Sequence, residues 1–247
     1  MQDIEESIER YCRRRGMRRW SPEAALVDMD GTLYDSMPAH ARAWYRTMTD
    51  AGFDCTPDEF YLYEGRTGAS TINLLMQRQF SRAATEEECV ELYGRKSRLF
   101  ATMGNPAPID GAREAMASLL RMGLTTVLVT GSGQDTVLRR LDDDFPGAFP
   151  EGRRVTGRDV RQGKPHPEPF LHAMRLIGKR AETCIAIDNA PLGVESGAAS
   201  GAFTIGVTTG PVPAEALYEA GADIVFPSMR ELAMSVGRVV DRRDMPL

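Results

Sequence analysis

The chain has 247 residues, of which 42% are hydrophobic and 26% charged, and its formal net charge is −5 at pH 7. This composition is typical of a globular protein, and the length suffices for a core domain plus a smaller second unit. The negative charge argues against a nucleic-acid-binding surface, and no apolar stretch approaches the roughly 18 residues of a membrane span. The charged N-terminus is unlike a secretory signal, and the four cysteines form no C-x-x-C pair. We therefore expect reduced thiols in a cytoplasmic protein.

The first predicted element is an amphipathic helix within residues 3–20. Ile4, Ile8, Tyr11 and Cys12 recur there at helical spacing among charged residues. The segment also holds five arginines, which we expect to face solvent, with a partner surface as the alternative: Arg13, Arg14, Arg15, Arg18 and Arg19.

From residue 24 onward, apolar runs rich in Val, Ile and Thr alternate with helical patterns. After the first run, strands are predicted at 125–130, 183–188, 203–208 and 222–226. Helices are predicted at 111–122, 133–141, 167–177, 191–200 and 228–241. This alternation predicts an α/β fold with a Rossmann-like, doubly wound parallel sheet. Because ligands bind beyond the carboxyl ends of such strands, the strand-ending residues Asp28, Thr130 and Asp188 are expected to meet at one edge.

The alternation is interrupted between about residues 38 and 103, where only helical patterns occur. These patterns lie at 38–51, 57–62, 68–80 and 85–101. We interpret the segment as an α-helical cap domain inserted after the first strand and standing over the active edge. The predicted organisation is a helical extension at 1–20, a core of 21–37 and 104–247, and a cap of 38–103.

The first strand runs directly into Asp28-Met29-Asp30-Gly31-Thr32. Asp28 would point into the crevice, Asp30 would lie just above it, and Gly31 would let the backbone turn sharply. Because two adjacent carboxylates repel each other, they favour a shared proton or a divalent cation between them. Mg²⁺, which prefers oxygen ligands, fits best.

Four sequence motifs in this order resemble those of the haloacid dehalogenase (HAD) superfamily of phosphotransferases. They are "DMDGTL" at 28–33, "VLVTGSG" at 127–133, "GKPHPEPF" at 163–170 and "AIDNAPLGVESGAASGAF" at 186–203. Since the four span most of the chain, the match is specific. It implies the HAD fold with a C1-type helical cap.

The resemblance implies a role for each motif. Asp28 would attack phosphorus and form an aspartyl-phosphate, while Asp30 would protonate the leaving group and then activate water. Thr130, Gly131 and Ser132 would hold the phosphoryl oxygens.

The implied cofactor is Mg²⁺. Lys164 would offset negative charge beside the nucleophile. The implied metal-binding residues of the core are Asp28, Asp30, Asp188 and Asn189.

The cap and the third and fourth motifs look like the β-phosphoglucomutase-like branch, with two departures. Mutases carry Glu-Asp in the fourth motif, whereas this chain has Asp188-Asn189, which removes one carboxylate. In the cap stretch "YEGRTGAS" at 63–70, Glu64 stands where mutases have a lysine. We interpret Glu64 as a residue that reaches Mg²⁺ when the cap closes and so restores the lost charge.

This combination is similar to the inorganic pyrophosphatase members of that branch. Tyr93, in "ELYGRKS", matches a cap tyrosine that restricts the leaving group, and Arg66 either binds the leaving phosphate or pairs with a cap acid. The leading prediction is a Mg²⁺-dependent hydrolase that splits pyrophosphate into two phosphates. A β-phosphoglucomutase or sugar-phosphate phosphatase is the alternative, and a silent phosphate-binding or interaction protein is a third hypothesis. We expect a monomer with a small phosphate substrate and no nucleic-acid or membrane partner.

Simpler interpretations stay open for individual residues. Glu64 could cap the helix that starts near Ser70 or lie in solvent. Tyr93 could be ordinary cap packing, and Asn189 could hold its loop rather than the metal. His40 matches a histidine near the mutase hinge, and a purely structural role is equally compatible with its position.

Overall fold

A computed structural model of the chain describes residues 3–133 and 138–244. Its β-strands, in chain order, are β1 (Arg19–Trp20), β2 (Ala24–Val27), β3 (Thr125–Val129), β4 (Arg154–Val155), β5 (Cys184–Asp188), β6 (Phe203–Val207), β7 (Ile224–Phe226) and β8 (Arg243–Asp244). Six of them form one parallel sheet in the order β4-β3-β2-β5-β6-β7, and β1 pairs antiparallel with β8.

The α-helices flank this sheet or lie between β2 and β3. They are α1 (Ile4–Arg15), α2 (Met37–Asp50), α3 (Glu59–Leu62), α4 (Gly68–Phe80), α5 (Glu86–Ala101), α6 (Ala112–Arg121), α7 (Leu141–Asp144), α8 (Glu168–Ile177), α9 (Pro191–Ser200), α10 (Ala214–Glu219) and α11 (Met229–Val240).

Strand β2 lies inside the sheet, with β3 on one side and β5 on the other. In this register Val27 faces both Leu128 and Ile187, so the three strands end at a common edge. All four β2 residues are buried and alternate between two apolar clusters, one on each face of the sheet. Both faces are therefore covered, which confirms the predicted doubly wound α/β fold and the shared edge.

Helices α2–α5 lie between β2 and α6 and have an apolar cluster of their own, centred on Trp44, Phe60, Ile72 and Leu75. Because this cluster is distinct from the two that cover the sheet, we call these helices the helical insertion and the rest the core. The predicted boundaries near residues 38 and 103 stay predictions.

The N-terminal segment differs from the predicted helix over 3–20. Helix α1 ends at Arg15 because Gly16 adopts the left-handed conformation with φ 64°, and the chain then continues into β1. Tyr11 is fully buried, and its hydroxyl donates a 2.9 Å hydrogen bond to the Gly201 carbonyl. The segment is thus packed into the core rather than projecting from it.

Other elements also depart from the sequence prediction. Strands β1, β4 and β8 and helices α7 and α10 were not predicted, and the three strands have two residues each, too few to show alternation. Of the helix predicted at 133–141, residues 134–137 lie outside the described residues.

Two further expectations can be compared with the structure. All four cysteines are free thiols, as expected. No helix in the described ranges is long and apolar enough to cross a membrane. The cytoplasmic location and the monomeric state stay predictions.

Candidate active site

The strand ends bring the predicted core residues together. Asp28 directly follows β2, and its backbone N–H donates to the Ile187 carbonyl of β5 at 2.9 Å. Thr130 follows β3, and Asp188 is the last residue of β5. All three side chains are almost fully buried, so the charges of Asp28 and Asp188 interact strongly with each other.

Lys164 is the counter-ion of this acidic cluster. Its ammonium lies 2.6 Å from an Asp28 oxygen and 2.7 Å from an Asp188 oxygen, and it also donates to the Val129 carbonyl at 3.0 Å. Although burial opposes the charged form, the two carboxylates hold the pKa of Lys164 above its usual value. Lys164 therefore stays a cation and fixes the orientation of Asp28.

Asp30 belongs to a second, separate network. One oxygen accepts a 2.7 Å hydrogen bond from the Ser36 hydroxyl and lies 3.0 Å from His40 Nε2. The other ring nitrogen, His40 Nδ1, lies 2.5 Å from the ammonium of Lys96, which is only 2% exposed. A buried chain of polar groups thus links helix α5 of the insertion to Asp30.

This chain shifts the pKa of each of its members. Burial opposes ionisation of Asp30, but the electrostatic interaction and hydrogen bond with His40 and the hydrogen bond from Ser36 outweigh it and lower the Asp30 pKa to about 2. Burial lowers the pKa of Lys96 to about 7, and burial together with Lys96 lowers that of His40. In this arrangement Asp30 is ionised and can accept a proton. A phosphoryl group beside it would add negative charge and favour its protonated form.

Glu64 of the insertion meets the fourth motif. Its carboxylate accepts a 2.9 Å hydrogen bond from the Asn189 side-chain amide, and the Asn189 oxygen accepts one of 2.9 Å from the Thr32 hydroxyl. Glu64 is only 7% exposed, which excludes the solvent-exposed alternative for this side chain. The turn at Gly31 makes room for the pair, because a Cβ there would lie 2.3 Å from both Glu64 and Asn189 side-chain atoms.

The excess of buried acid fits a divalent cation. Burial, reinforced by Asp188 and Asp30, raises the pKa of Asp28 to about 7 even though Lys164 opposes the rise. Burial and repulsion from the same acids raise the pKa of Glu64 well above its usual value. In the described ranges no three acidic, histidine or cysteine side chains form a ready-made metal cage. The charge and the oxygen donors of these buried acids nevertheless suit Mg²⁺.

The loop after β3 carries Thr130, Gly131 and Ser132. The Thr130 hydroxyl accepts a 3.0 Å hydrogen bond from the Ser132 backbone N–H and lies 3.5 Å from an Asp30 oxygen. The hydroxyl of Tyr93, from helix α5, accepts a 3.1 Å hydrogen bond from the Gly133 N–H. Tyr93 therefore connects the insertion to this loop and does more than pack within the cap.

Arg66 lies beside the same loop. Its guanidinium donates to the Ser70 hydroxyl at 3.1 Å. Among the described residues, two buried side-chain polar atoms have no hydrogen-bond partner, and both border the cavity: Arg66 Nε and Ser132 Oγ. Such atoms are available to an anionic ligand.

Most of the predicted site residues surround one cavity of about 50 Å³ between core and insertion. Those that line it are Asp28, Asp30, Glu64, Arg66, Tyr93, Thr130, Gly131, Ser132 and Asp188. Lys164 and Asn189 lie behind this lining and contact it through Asp28 and Glu64.

Sequence analysis missed Lys96 and Ser36 and left the role of His40 open. A signal for Lys96 existed, because Leu92, Lys96 and Phe100 follow one another at four-residue spacing on the buried face of α5. A lone lysine on such an apolar stripe is costly to bury and so indicates a specific partner. Ser36 gave no comparable signal.

The order and placement of these motifs agree with a comparison of the chain with known protein families. A model of haloacid dehalogenase-like hydrolases matches residues 22–201, most of the chain. The chain belongs to the haloacid dehalogenase-like hydrolase family. It is thus a member of an enzyme family whose core fold is the one described above.

Individual relatives of this haloacid dehalogenase-like hydrolase are also similar over most of their length. Hexitol phosphatase A of Escherichia coli is 29% identical over 85% of this chain and 93% of its own. The 2-deoxyglucose-6-phosphate phosphatase 1 of Saccharomyces cerevisiae is 27% identical over 88% of this chain and 92% of its own.

A solved structure from Bacteroides vulgatus, provisionally assigned as a beta-phosphoglucomutase, is 41% identical with a TM-score of 0.91 and covers 96% of both chains. This similarity supports the predicted β-phosphoglucomutase-like branch. None of these three proteins is described as a pyrophosphatase, so the predicted closeness to pyrophosphatases has no support from them.

Proposed function

We propose that this protein is a Mg²⁺-dependent phosphohydrolase that acts on a phosphorylated carbohydrate through an aspartyl-phosphate on Asp28. The proposed chemistry rests on one observation. The Asp28 carboxylate borders the cavity, the Lys164 ammonium lies 2.6 Å from one of its oxygens, and Asp30 borders the same cavity. A nucleophile, a fixed cation and a second acid are thus gathered at one strand edge.

In the first step, an Asp28 oxygen forms a bond to phosphorus while the bond from phosphorus to the leaving oxygen breaks. Asp30 gives its proton to that oxygen as it departs. In the second step a water molecule attacks the phosphorus of the aspartyl-phosphate, and Asp30 takes a proton from the water. Phosphate leaves and the Asp28 carboxylate is restored.

The remaining side chains stabilise charge and orientation. Lys164 keeps Asp28 in place and offsets the negative charge of the phosphoryl group. Thr130, Gly131 and Ser132 supply hydroxyl and backbone N–H groups toward the phosphoryl oxygens. His40 and Lys96 hold Asp30 in position from the insertion side.

Mg²⁺ would be held by Asp28, Asp30 and Asp188, with Asn189 and Glu64 as the additional predicted ligands. When bound, it would neutralise charge that develops on the phosphoryl oxygens.

The relatives' names guide the choice of substrate. Two of them are phosphatases named after a hexitol and a phosphorylated deoxysugar, and they favour the sugar-phosphate alternative of the sequence analysis over pyrophosphate. A sugar phosphate is larger than the cavity of about 50 Å³, so the insertion would have to move away from the core to admit it.

Inorganic pyrophosphate is the second candidate, and one observation favours it. Glu64, which replaces the lysine that would attract a distal phosphate, is buried against Asn189 inside a cavity of about 50 Å³. Such a closed site suits a leaving group no larger than phosphate and leaves little room for a sugar.

A phosphate-release assay with Mg²⁺ tests both candidates. It compares hexitol phosphates, hexose 6-phosphates, β-glucose 1-phosphate with a trace of the bisphosphate, and pyrophosphate. A preference for a hexose or hexitol phosphate would support the first candidate, and a preference for pyrophosphate the second. Isomerisation of β-glucose 1-phosphate would indicate a mutase instead, and no Mg²⁺-dependent release from any compound would contradict the proposed function.

A further inference from the structure

Gly131 and Gly163 of the core contact residues 65–67 of the insertion, and we call this contact the seam. Residues 65–68, here called loop 65–68, run from the connection after α3 into the first residue of α4. They lie directly against the core loops that carry Gly131 and Gly163. A Cβ on Gly163 would lie 2.6 Å from Thr67 Cγ2 and 3.2 Å from Thr67 N. These distances are shorter than normal van der Waals contacts, so the loops approach closely only because Gly163 has no side chain.

Gly131 shows the same close approach on the other side of the seam. A Cβ there would lie 2.6 Å from the Gly65 carbonyl oxygen and 2.8 Å from that of Arg66. Two core loops therefore contact the insertion backbone at points where a methyl group has no room. These contacts require the insertion backbone to lie against the core.

The seam separates two spaces. On its inner side lies the cavity of about 50 Å³ that holds the acidic residues. On its outer side lies an open groove of about 580 Å³, bordered by Arg161 and His166 of the core and Asn73 of the insertion. Arg66 borders both spaces, so they would merge if loop 65–68 moved away from the core.

We propose that Gly163 is a specificity-determining residue, because its missing side chain lets the seam close and so limits the size of the leaving group. The proposal rests on the proposed phosphohydrolase function but on neither substrate candidate. A compact leaving group is accommodated with the seam closed, whereas a bulky one holds it open. The contact between Gly163 and Thr67 therefore sets the preference of the enzyme for compact or bulky leaving groups.

The local geometry makes Gly163 a selective position to test. The three atoms nearest to a Cβ at this position all belong to Thr67 of the insertion, so an added methyl would act first on the contact between core and insertion. Thr67 cannot readily turn away, because its hydroxyl caps α4 by accepting a 3.2 Å hydrogen bond from Ser70 N–H. Gly152, where a Cβ would meet nothing within 4 Å, offers a matched control.

The test measures kcat/KM for acetyl phosphate, a compact phosphoryl donor, and for p-nitrophenyl phosphate, a bulky one. We expect Gly163→Ala to lower the value for acetyl phosphate by about 10- to 100-fold and to change that for p-nitrophenyl phosphate far less. Gly152→Ala should leave both values unchanged. Adding Thr67→Ser, which removes Cγ2 and keeps the capping hydroxyl, should restore much of the loss.

Hydrogen exchange provides a readout that does not need turnover. Amides 64–68 should exchange faster in Gly163→Ala than in the wild type and should slow again in Gly163→Ala/Thr67→Ser. If Gly163→Ala does not fold, hydrogen exchange of the wild type is compared with and without added Mg²⁺ and orthovanadate, a phosphate mimic. We then expect amides 64–68 to exchange more slowly when Mg²⁺ and orthovanadate are present.

Several results would overturn the proposal. They are an equal loss of kcat/KM for both donors in Gly163→Ala, no recovery of kcat/KM on adding Thr67→Ser, unchanged hydrogen exchange of amides 64–68 in Gly163→Ala, and no slowing of that exchange by orthovanadate. A wild-type protein that releases phosphate from neither donor would instead overturn the proposed function. The exchange measurement would still decide whether the seam opens and closes.

Discussion

The Glu64 carboxylate of the insertion accepts a buried 2.9 Å hydrogen bond from the side-chain amide of Asn189 in the core. Two positions at which the chain departs from the mutase pattern are thus in direct contact. The contact places a fourth carboxylate beside Asp28, Asp30 and Asp188, and burial together with these neighbours raises the Glu64 pKa. We infer that a divalent cation relieves this repulsion.

Glu64→Lys should therefore weaken Mg²⁺ binding, because an ammonium in this position competes with a cation. We expect the Mg²⁺ concentration for half-maximal phosphate release to rise about tenfold or more, equivalent to roughly 1.4 kcal/mol. The control is Glu91→Lys, an exposed position on α5. An unchanged Mg²⁺ requirement in Glu64→Lys would contradict the metal role of Glu64.

Asp28→Asn and Asp30→Asn should separate the two catalytic acids. Asp28→Asn removes the nucleophile and should abolish turnover. Asp30→Asn keeps a similar shape but cannot transfer a proton, so kcat should fall about 10²- to 10⁴-fold with a much smaller change in KM. Steady-state kinetics at saturating Mg²⁺ measures both, and substantial turnover by Asp28→Asn would exclude it as the nucleophile.

Lys96→Met should change the pH dependence of stability. Burial lowers the Lys96 pKa from 10.5 to about 7, so between these pH values the unfolded chain binds more protons than the folded one. The wild type should therefore gain stability relative to Lys96→Met as pH rises through this window, by up to about 1.4 kcal/mol per pH unit. Urea unfolding of both proteins at pH 7, 8 and 9 measures the difference.

Arg98→Met, on the exposed side of the same helix, is the control for this comparison. A difference in unfolding free energy between wild type and Lys96→Met that is independent of pH would show that Lys96 carries its ordinary pKa.

Tyr11→Phe should lower stability without affecting turnover. The substitution removes the 2.9 Å hydrogen bond to the Gly201 carbonyl and leaves the buried ring in place. We expect a loss of about 1–2 kcal/mol in the free energy of unfolding. Arg13→Ala, on the exposed face of α1, should have little effect in the same denaturation experiment, and equal stability of wild type and Tyr11→Phe would show that this hydrogen bond contributes nothing.

The strand ends at the site were predictable because three apolar runs stop at a polar residue within a motif. Asp28, Thr130 and Asp188 could therefore be assigned to one edge from the sequence alone. The end of α1 at Gly16 was missed because the arginines that follow continue a helical composition. The strands of two residues were missed because they are too short for any periodicity.

Contacts between segments far apart in the chain were harder to predict. The link from Lys96 to Asp30 passes through His40 and depends on how α5 packs on α2, which no local pattern encodes. The same holds for Gly163, whose closeness to Thr67 follows from the position of the insertion over the core. Glu64 and Asn189 could be connected from the sequence because both depart from the same motif pattern, and the structure shows a hydrogen bond between them. The metal role of Glu64 stays a prediction.

The proposed mechanism requires that Asp28 accepts a phosphoryl group in the presence of Mg²⁺. Fluorine NMR with beryllium fluoride, which imitates a phosphoryl group on a carboxylate, tests this requirement without knowledge of the substrate. We expect protein-bound fluorine signals for the wild type that require Mg²⁺ and disappear in Asp28→Asn. Bound signals that persist in Asp28→Asn, or none in the wild type with Mg²⁺, would contradict it.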